Sequence, residues 1–239
     1  MANQAVGVDG CKAGWIAVTS DEGDTLRYEL FGTMREIVLA HREAERFLVD
    51  IPIGLPWREH PTRPCDELAR HVLKHRHVCV FASPSRAACH ANTKVEARQR
   101  NLEELGKSLS EQALGICAKV AEVDTLLRQD DSARDRIREV HPEVCFWAMN
   151  GGRPMNDAKT SPAGIASRLA ILKRRLPSSD ALLMRVLDKR SRAEVRADDV
   201  LDALAAYVTA AADPAVLLRL QGEPSHDLEQ LPMEMLYIQ

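Results

Sequence analysis

"VGVDGCKAGW", residues 6–15, sends a run of small and β-branched residues into one aspartate, Asp9, at a glycine-flanked turn. A second apolar run, Trp15-Ile16-Ala17-Val18, follows directly. The stretch reads as a strand, a tight turn and a second strand, with a carboxylate where the first strand ends. Residues 47–56, "FLVDIPIGLP", repeat the pattern: a hydrophobic strand closes on Asp50, and Pro52, Gly54 and Pro56 forbid the ladder from continuing. Two acids at two strand ends organise everything read around them.

Residues 4–9, 14–20 and 25–31 are predicted as consecutive strands, joined by short connections that carry Gly10, Gly14 and Gly23. A short helix is expected over 33–42, with Thr33 as its N-cap, and a fourth strand over 46–51 is apolar enough to be central. From about 57 to 136 the pattern turns helical. In "SEQALGICAKVAEVDTLLR", together with the preceding Leu109, residues Leu109, Ala113, Ile116, Cys117, Val120, Val123 and Leu127 fall on one stripe. Within this stretch Val78–Ala82 is expected as a short strand, and a further strand is expected over 137–145, with Glu143 near its end and Pro142 marking an edge or bulge. Residues 161–176 and 180–190 look helical, and "ADDVLDALAAYVTAAA" forms a final helix with acids in its first turn. This order predicts one α/β domain over residues 1–239: a mixed sheet flanked by helices, with a helical insertion after the fourth strand.

Composition narrows the function classes. Apolar residues make up 45% of the 239 residues, enough for a sizeable core, and no apolar run approaches the roughly 20 residues of a membrane span. No basic stretch followed by an apolar one opens the chain, so the expected compartment is the cytoplasm. The six cysteines stand singly, without a CxxC pair, as reduced thiols would. A net charge of −3 speaks against a protein that coats nucleic acid generally. Residues 58–107, however, hold ten Lys/Arg against six Asp/Glu, and residues 153–196 hold eleven against four. Two basic segments in an acidic protein form either a phosphate-facing surface or solvated helix faces.

The candidate catalytic residues are carboxylates singled out by position: Asp9, Asp50, Glu143, Asp199 and Asp202. Asp199 and Asp202 lie three apart on the final helix, hence on one face, with side chains about 5–6 Å apart. If the first and fourth strands are neighbours, Asp9 and Asp50 meet at one edge of the sheet, where a helix packed across it brings the other pair. Clustered carboxylates repel and have raised pKa values. A hard divalent cation, Mg²⁺ or Mn²⁺, relieves that cost through oxygen ligands, and two such ions about 4 Å apart suit phosphodiester hydrolysis. Taken singly, Asp9 before Gly10 is also a good turn former, and Asp198 or Asp199 a good helix cap. Asp202 is harder to explain that way, because Leu201, Ala205 and Val208 flank it on a packed face.

The segments "GVDGCKAGW", "VDIPIGLP", "RPCDELAR", "VFASPSRAA", "EVHPEVCFWAMNGG" and "DDVLDALAAY" together resemble the domain-of-unknown-function family 429, regarded as RNase H-like nucleases. The resemblance spans essentially the whole chain. "DVLDALA" is also similar to the final helix of RuvC-type resolvases, in which two acids three apart bind metal. It implies metal-holding roles for Asp9, Asp50, Asp199 and Asp202, while Glu143, in "HPE", matches the family's own motif. Asp50 departs from many RNase H-like enzymes by standing immediately before a Pro- and Gly-rich turn, which bears on its orientation.

Other residues complete the set. Lys12, Arg86, Lys94 and Lys159 are candidate phosphate contacts, each with an ordinary surface role as the alternative. The cluster of His60, Cys65, His71, His75, His77, Cys79, Cys89 and His90 lacks CxxC or HExxH spacing and reads as histidines on a basic solvated helix. His141 is expected to cap a strand end rather than shuttle protons, Cys11 has no local histidine to make it a nucleophile, and Phe146 and Trp147 are expected in the core. A metal-dependent nuclease acting on RNA or DNA, with no membrane partner and a homodimer among the admissible assemblies, is the expected function. Two alternatives accompany it. "VDGCKAGW" also looks like the first phosphate loop of the actin-like and sugar-kinase fold, implying a phosphotransferase or ATPase, although no second loop of that kind occurs. The other is a non-catalytic binding protein that kept the fold.

Overall fold

The computed structural model describes residues 5–21 and 25–239; the expected turn at Gly23 and the expected strand start at residue 4 lie outside them. Strands β1 (Ala5–Cys11), β2 (Gly14–Ser20) and β3 (Leu26–Phe31) form an antiparallel meander. Gly14, at φ +125°, makes the first hairpin possible, because a side chain there would strike the Phe31 carbonyl. Helix α1 (Met34–Ala40) starts as expected: the Glu36 N–H donates to Thr33 Oγ1 at 3.3 Å, and the Thr33 N–H donates to Glu36 Oε2 at 3.1 Å. Strand β4 (Arg46–Val49) then pairs in parallel with β1.

The insertion between β4 and the next strand holds α2 (Pro64–Leu73), α3 (Arg86–Cys89), α4 (Lys94–Leu105), α5 (Glu111–Gln129) and α6 (Asp131–Arg136). After it come β5 (Ile137–Glu139), parallel to β4, and helices α7 (Pro142–Met149), α8 (Pro162–Lys173), α9 (Ser179–Lys189) and α10 (Ala197–Ala210). The C-terminal segment adds β6 (Leu218–Arg219), β7 (Ser225–His226), β8 (Pro232–Met233) and β9 (Leu236–Tyr237), paired as β6–β9 and β7–β8. The sheet order is β3-β2-β1-β4-β5, a mixed five-stranded α/β arrangement consistent with an RNase H-like fold.

Alternation along the central strands assigns each face its helices. Val6 and Val8 of β1, with Phe47 and Val49 of β4, pack into a core shared with α1 and α5. Ala5 of β1 and Leu48 of β4 belong to the opposite core, built on α7, α8, α9 and α10. On that second face α10 runs directly over Gly7, where a Cβ would collide with the Ala203 carbonyl and the Tyr207 amide. From Val200 to Ala210 the helix is buried throughout, as an apolar helix in the middle of a layer must be.

Two expected strands are otherwise. Val78–Ala82 is not a strand: Lys74–Cys79 form a 3₁₀ turn. The carbonyls that a neighbouring strand would need are claimed by Arg70, whose Nε and Nη2 donate to Val80 O and Phe81 O at 3.0 Å each. The strand expected over 137–145 ends at Glu139, and Pro142 opens helix α7 at its first position, where its missing N–H costs nothing. Glu143 therefore sits in the first turn of a helix. Among the described residues no helix is long and apolar enough to cross a membrane.

Candidate functional site

Strand pairing brings the first two acids together. Strand β1 runs two residues past its expected end, so Asp9 lies within it, paired with Ile16, whereas Asp50 directly follows β4. Val8 lies opposite Val49, and the Asp50 N–H donates to Val8 O at 3.0 Å, so the two aspartates stand at the same level on neighbouring strands. Both valines face the α1/α5 side. One residue further on, both aspartates fall on the α10 side. The close passage of α10 over Gly7 then places Asp202, one residue before Ala203, beside them. Asp202 and Asp9 are buried.

Among the described residues Lys119 stands near Asp9 and Asp199 but donates to the Gly14 carbonyl, and the cation that pairs with the acids is Lys159. Lys159, in the connection between α7 and α8, donates from Nζ to Asp202 Oδ2 at 2.7 Å and lies 3.7 Å from Asp198 Oδ2. The acids remain under-neutralised. Burial, reinforced by Asp50 and Asp202, holds the Asp9 carboxyl well above the usual carboxylate range. Burial also pushes Asp50 up to about 6, with His141 and Lys159 opposing and Asp202 and Glu143 adding. Asp202 is raised by burial against the pull of Lys159. Asp199 is raised to about 6 by burial, although its Oδ2 accepts the Arg196 N–H at 2.8 Å. Asp199 is thus the cap of α10 as well as a neighbour of the cluster.

Asp50, Glu143, Lys159 and Asp202 line one side of a cavity of about 290 Å³. Behind them stand two buried ion-pair groups. Glu143 Oε1 accepts from Arg168 Nη2, with Arg76 Nη2 at 3.5 Å, so the glutamate is pinned. Arg63 pairs with Glu139 and lies 3.2 Å from Asp66 Oδ1, while its Nη1 donates to Ser83 Oγ at 3.0 Å. Burial pushes Glu139 up to about 8 despite Arg63. His141 does not cap a strand. Its Nε2 lies 3.3 Å from the Cys79 carbonyl, which can only accept, so Nε2 is the donor there, and Nδ1 is buried with no hydrogen-bond partner among the described residues.

A family model described as "Protein of unknown function (DUF429)" matches residues 7–223. The chain belongs to the DUF429 family. No curated protein and no solved structure matches it.

All five candidate acids of this DUF429 chain lie within the matched region, and the fold gathers Asp9, Asp50 and Asp202, with Glu143 and Asp199 at the margins. The basic candidates scatter. Lys159 joins the acids. Lys12 lines a separate cleft with Arg192 and Arg196 near the start of α10. Arg86 is not available to phosphate: its Nε and Nη2 hold Asp124 at 2.9–3.1 Å, and Nη2 also donates to Asp227 at 2.5 Å. Lys94 makes an exposed pair with Glu111 at 3.2 Å. Cys11 is buried, and burial raises its thiol, the wrong direction for a nucleophile. Phe146 is fully buried, and Trp147 packs edge-on against Tyr237. In the His/Cys-rich stretch, His75 and His77 meet the carbonyls of Met155 and Lys74.

Sequence reasoning missed Arg63, Asp66, Glu139 and Arg168. Arg168 carried a usable signal, an arginine in line with the apolar Ile165, Leu169 and Leu172. The donor set suits a hard cation in chemistry and charge: all carboxylate, converging from β1, β4 and α10, and short of positive charge. Among the described residues no three His, Cys, Asp or Glu side chains already stand at metal-holding spacing; the cation that the acids hold is the Lys159 ammonium.

Proposed function

We propose that this protein is a divalent-metal-dependent hydrolase of phosphodiester bonds in nucleic acid. The observation that carries the proposal is the convergence of Asp9, Asp50 and Asp202 from three separate elements, with Asp50 and Asp202 on the wall of one cavity and Lys159 paired to Asp202. Carboxylates serving only stability are paired or hydrogen-bonded, whereas Asp9 and Asp50 accept no side-chain hydrogen bond among the described residues.

In this proposal Asp9, Asp50 and Asp202 hold the ion. When bound, it supplies positive charge to a phosphoryl oxygen and acidifies water. The chain's own groups do the rest. Glu143, clamped by Arg168 and Arg76, keeps the first turn of α7 in place and so fixes His141 at its N-cap. His141, with Nε2–H committed to the Cys79 carbonyl, offers Nδ1 as a proton acceptor beside Asp50. Lys159, on its flexible stem, is the mobile positive charge of the site and is suited to follow a phosphate.

The test combines binding and turnover. Mg²⁺ or Mn²⁺ is expected to raise the melting temperature of the wild type without nucleotide and to support cleavage of labelled RNA or DNA. Asp9→Asn is expected to lose both. A metal-independent melting temperature together with stabilisation by Mg²⁺–ATP would instead indicate the phosphotransferase chemistry.

A further inference from the structure

The cavity extends beyond the acids, and its far part has a different chemistry. Its mouth carries Val78 and Phe81, which are 65% and 39% exposed although apolar. Its inner end holds Arg63, but that guanidinium is already matched by Glu139, Asp66 and Ser83. Among the described residues an anionic phosphate therefore finds no free cation in that part and meets carboxylates instead. One acceptor of the wall residues lacks any partner: Glu143 Oε2 is buried and receives no hydrogen bond among the described residues. Buried polar atoms left in this way mark a missing donor.

Resting on the nucleic-acid reading above, we infer that the cavity beside the acids takes one unpaired nucleobase, so that the substrate is single-stranded or frayed nucleic acid rather than an intact duplex. A base supplies what the walls lack. It is uncharged, it has an apolar face for Phe81, and its edge carries N–H donors for Glu143. Size agrees, because about 290 Å³ lies at the small end of ligand cavities, which run from roughly 300 to 1,000 Å³. Extracting a base from a duplex costs unstacking and unpairing, whereas a single strand presents it at little cost.

The test isolates the base from the phosphate. Binding of the full-length protein is measured in chelator, so that nothing is cleaved, to a fluorescent single-stranded oligonucleotide, the same strand with abasic sites, and the corresponding duplex. All carry the same backbone chemistry. The intact single strand is expected to bind at least about tenfold more tightly than the other two, in keeping with base–aromatic stacking. Phe81→Ala is expected to bring it to the abasic level, and Phe81→Trp to keep it. Equal affinity for intact and abasic strands, tightest binding to duplex, no binding to any of the three, or indifference to Phe81→Ala overturns the base pocket. Failure of the hydrolase reading looks different: no metal-dependent cleavage of any substrate, with the binding preference intact. Conversely, equal cleavage and equal binding of intact and abasic strands leave a hydrolase without a base pocket.

Discussion

Two groups of buried or half-buried carboxylates in the molecule are treated in opposite ways. At the insertion, Asp124 and Asp227 are almost wholly buried, and each is fully served. Arg86 forks onto both, Arg128 and His90 approach Asp124, and Asp227 accepts the N–H groups of Leu55, Glu229 and Leu231 at 2.9 Å each. Around the ends of β1 and β4, Asp9, Asp50, Asp198, Asp199 and Asp202 stand together, and among the described residues the ammonium that pairs with them is that of Lys159, on Asp202 and Asp198. The first arrangement fastens the C-terminal segment to the insertion. The second leaves charge uncompensated where a strand edge, a helix and a cavity meet, a cost that a folded protein bears where chemistry requires it.

The largest effect is expected where compensation is complete. Arg86→Met strands two buried aspartates, and breaking such a group typically costs about 3–5 kcal/mol. Urea denaturation should show that loss, with any metal response of the melting temperature retained. A loss below about 1 kcal/mol would mean that the two buried groups differ less than their geometry indicates.

Removing the lysine paired with the acid cluster is the next test. Lys159→Met takes away a charged hydrogen bond to Asp202, but the lysine side chain is 40% exposed, so the stability loss at pH 7 should be modest, about 1 kcal/mol. The metal response should move the other way: with its competitor gone, Mg²⁺ should raise the melting temperature at lower concentration than in the wild type. An unchanged or weaker response would show that lysine and ion do not compete for the same carboxylates.

The acids also predict a pH dependence whose sign follows from their direction. Asp50 and Asp199 sit near 6 in the folded protein against about 3.8 when unfolded, and Asp9 is raised as well. Between those values the native state holds more protons, so this contribution to stability is full below pH 4 and is lost as pH rises through about 6. In metal-free buffer, Asp50→Asn should lack part of the wild type's decline between pH 4 and 7. Identical profiles for the two proteins would remove Asp50 from the coupled group.

Much of this was legible in the chain because it depends on short-range pattern. The acids at the ends of apolar runs, the Thr33–Glu36 cap and the periodicity of α10 are properties of neighbouring residues. Their convergence also followed, given that β1 and β4 pair. Partnership across sequence was not legible. Arg86 reads as a surface cation until Asp227, 141 residues away, closes on it. Glu143 reads as a strand residue because Pro142 is equally at home at an edge and at the first turn of a helix. The Val78–Ala82 stretch has strand composition, but only the fold reveals that Arg70 takes its carbonyls.

The smallest effect belongs to the outermost charges, and it sharpens the contrast by being small. Lys94 opens α4 and faces Glu111 across 3.2 Å, with both side chains 65% exposed. Water and salt screen such a pair, and holding two long side chains in one geometry costs conformational entropy. Arg98 also contacts Glu111, so the carboxylate keeps a partner when the lysine is removed. Lys94→Ala should therefore change stability by no more than about 0.5 kcal/mol. Its effect on nucleic-acid binding should be equally slight, since Lys94 is not among the residues lining the cavity. If the strand follows the acids, the slope of log affinity against log salt should respond to Lys159→Met and stay within error for Lys94→Ala. A slope flattened by Lys94→Ala alone would route the backbone over α4 and detach it from the carboxylates.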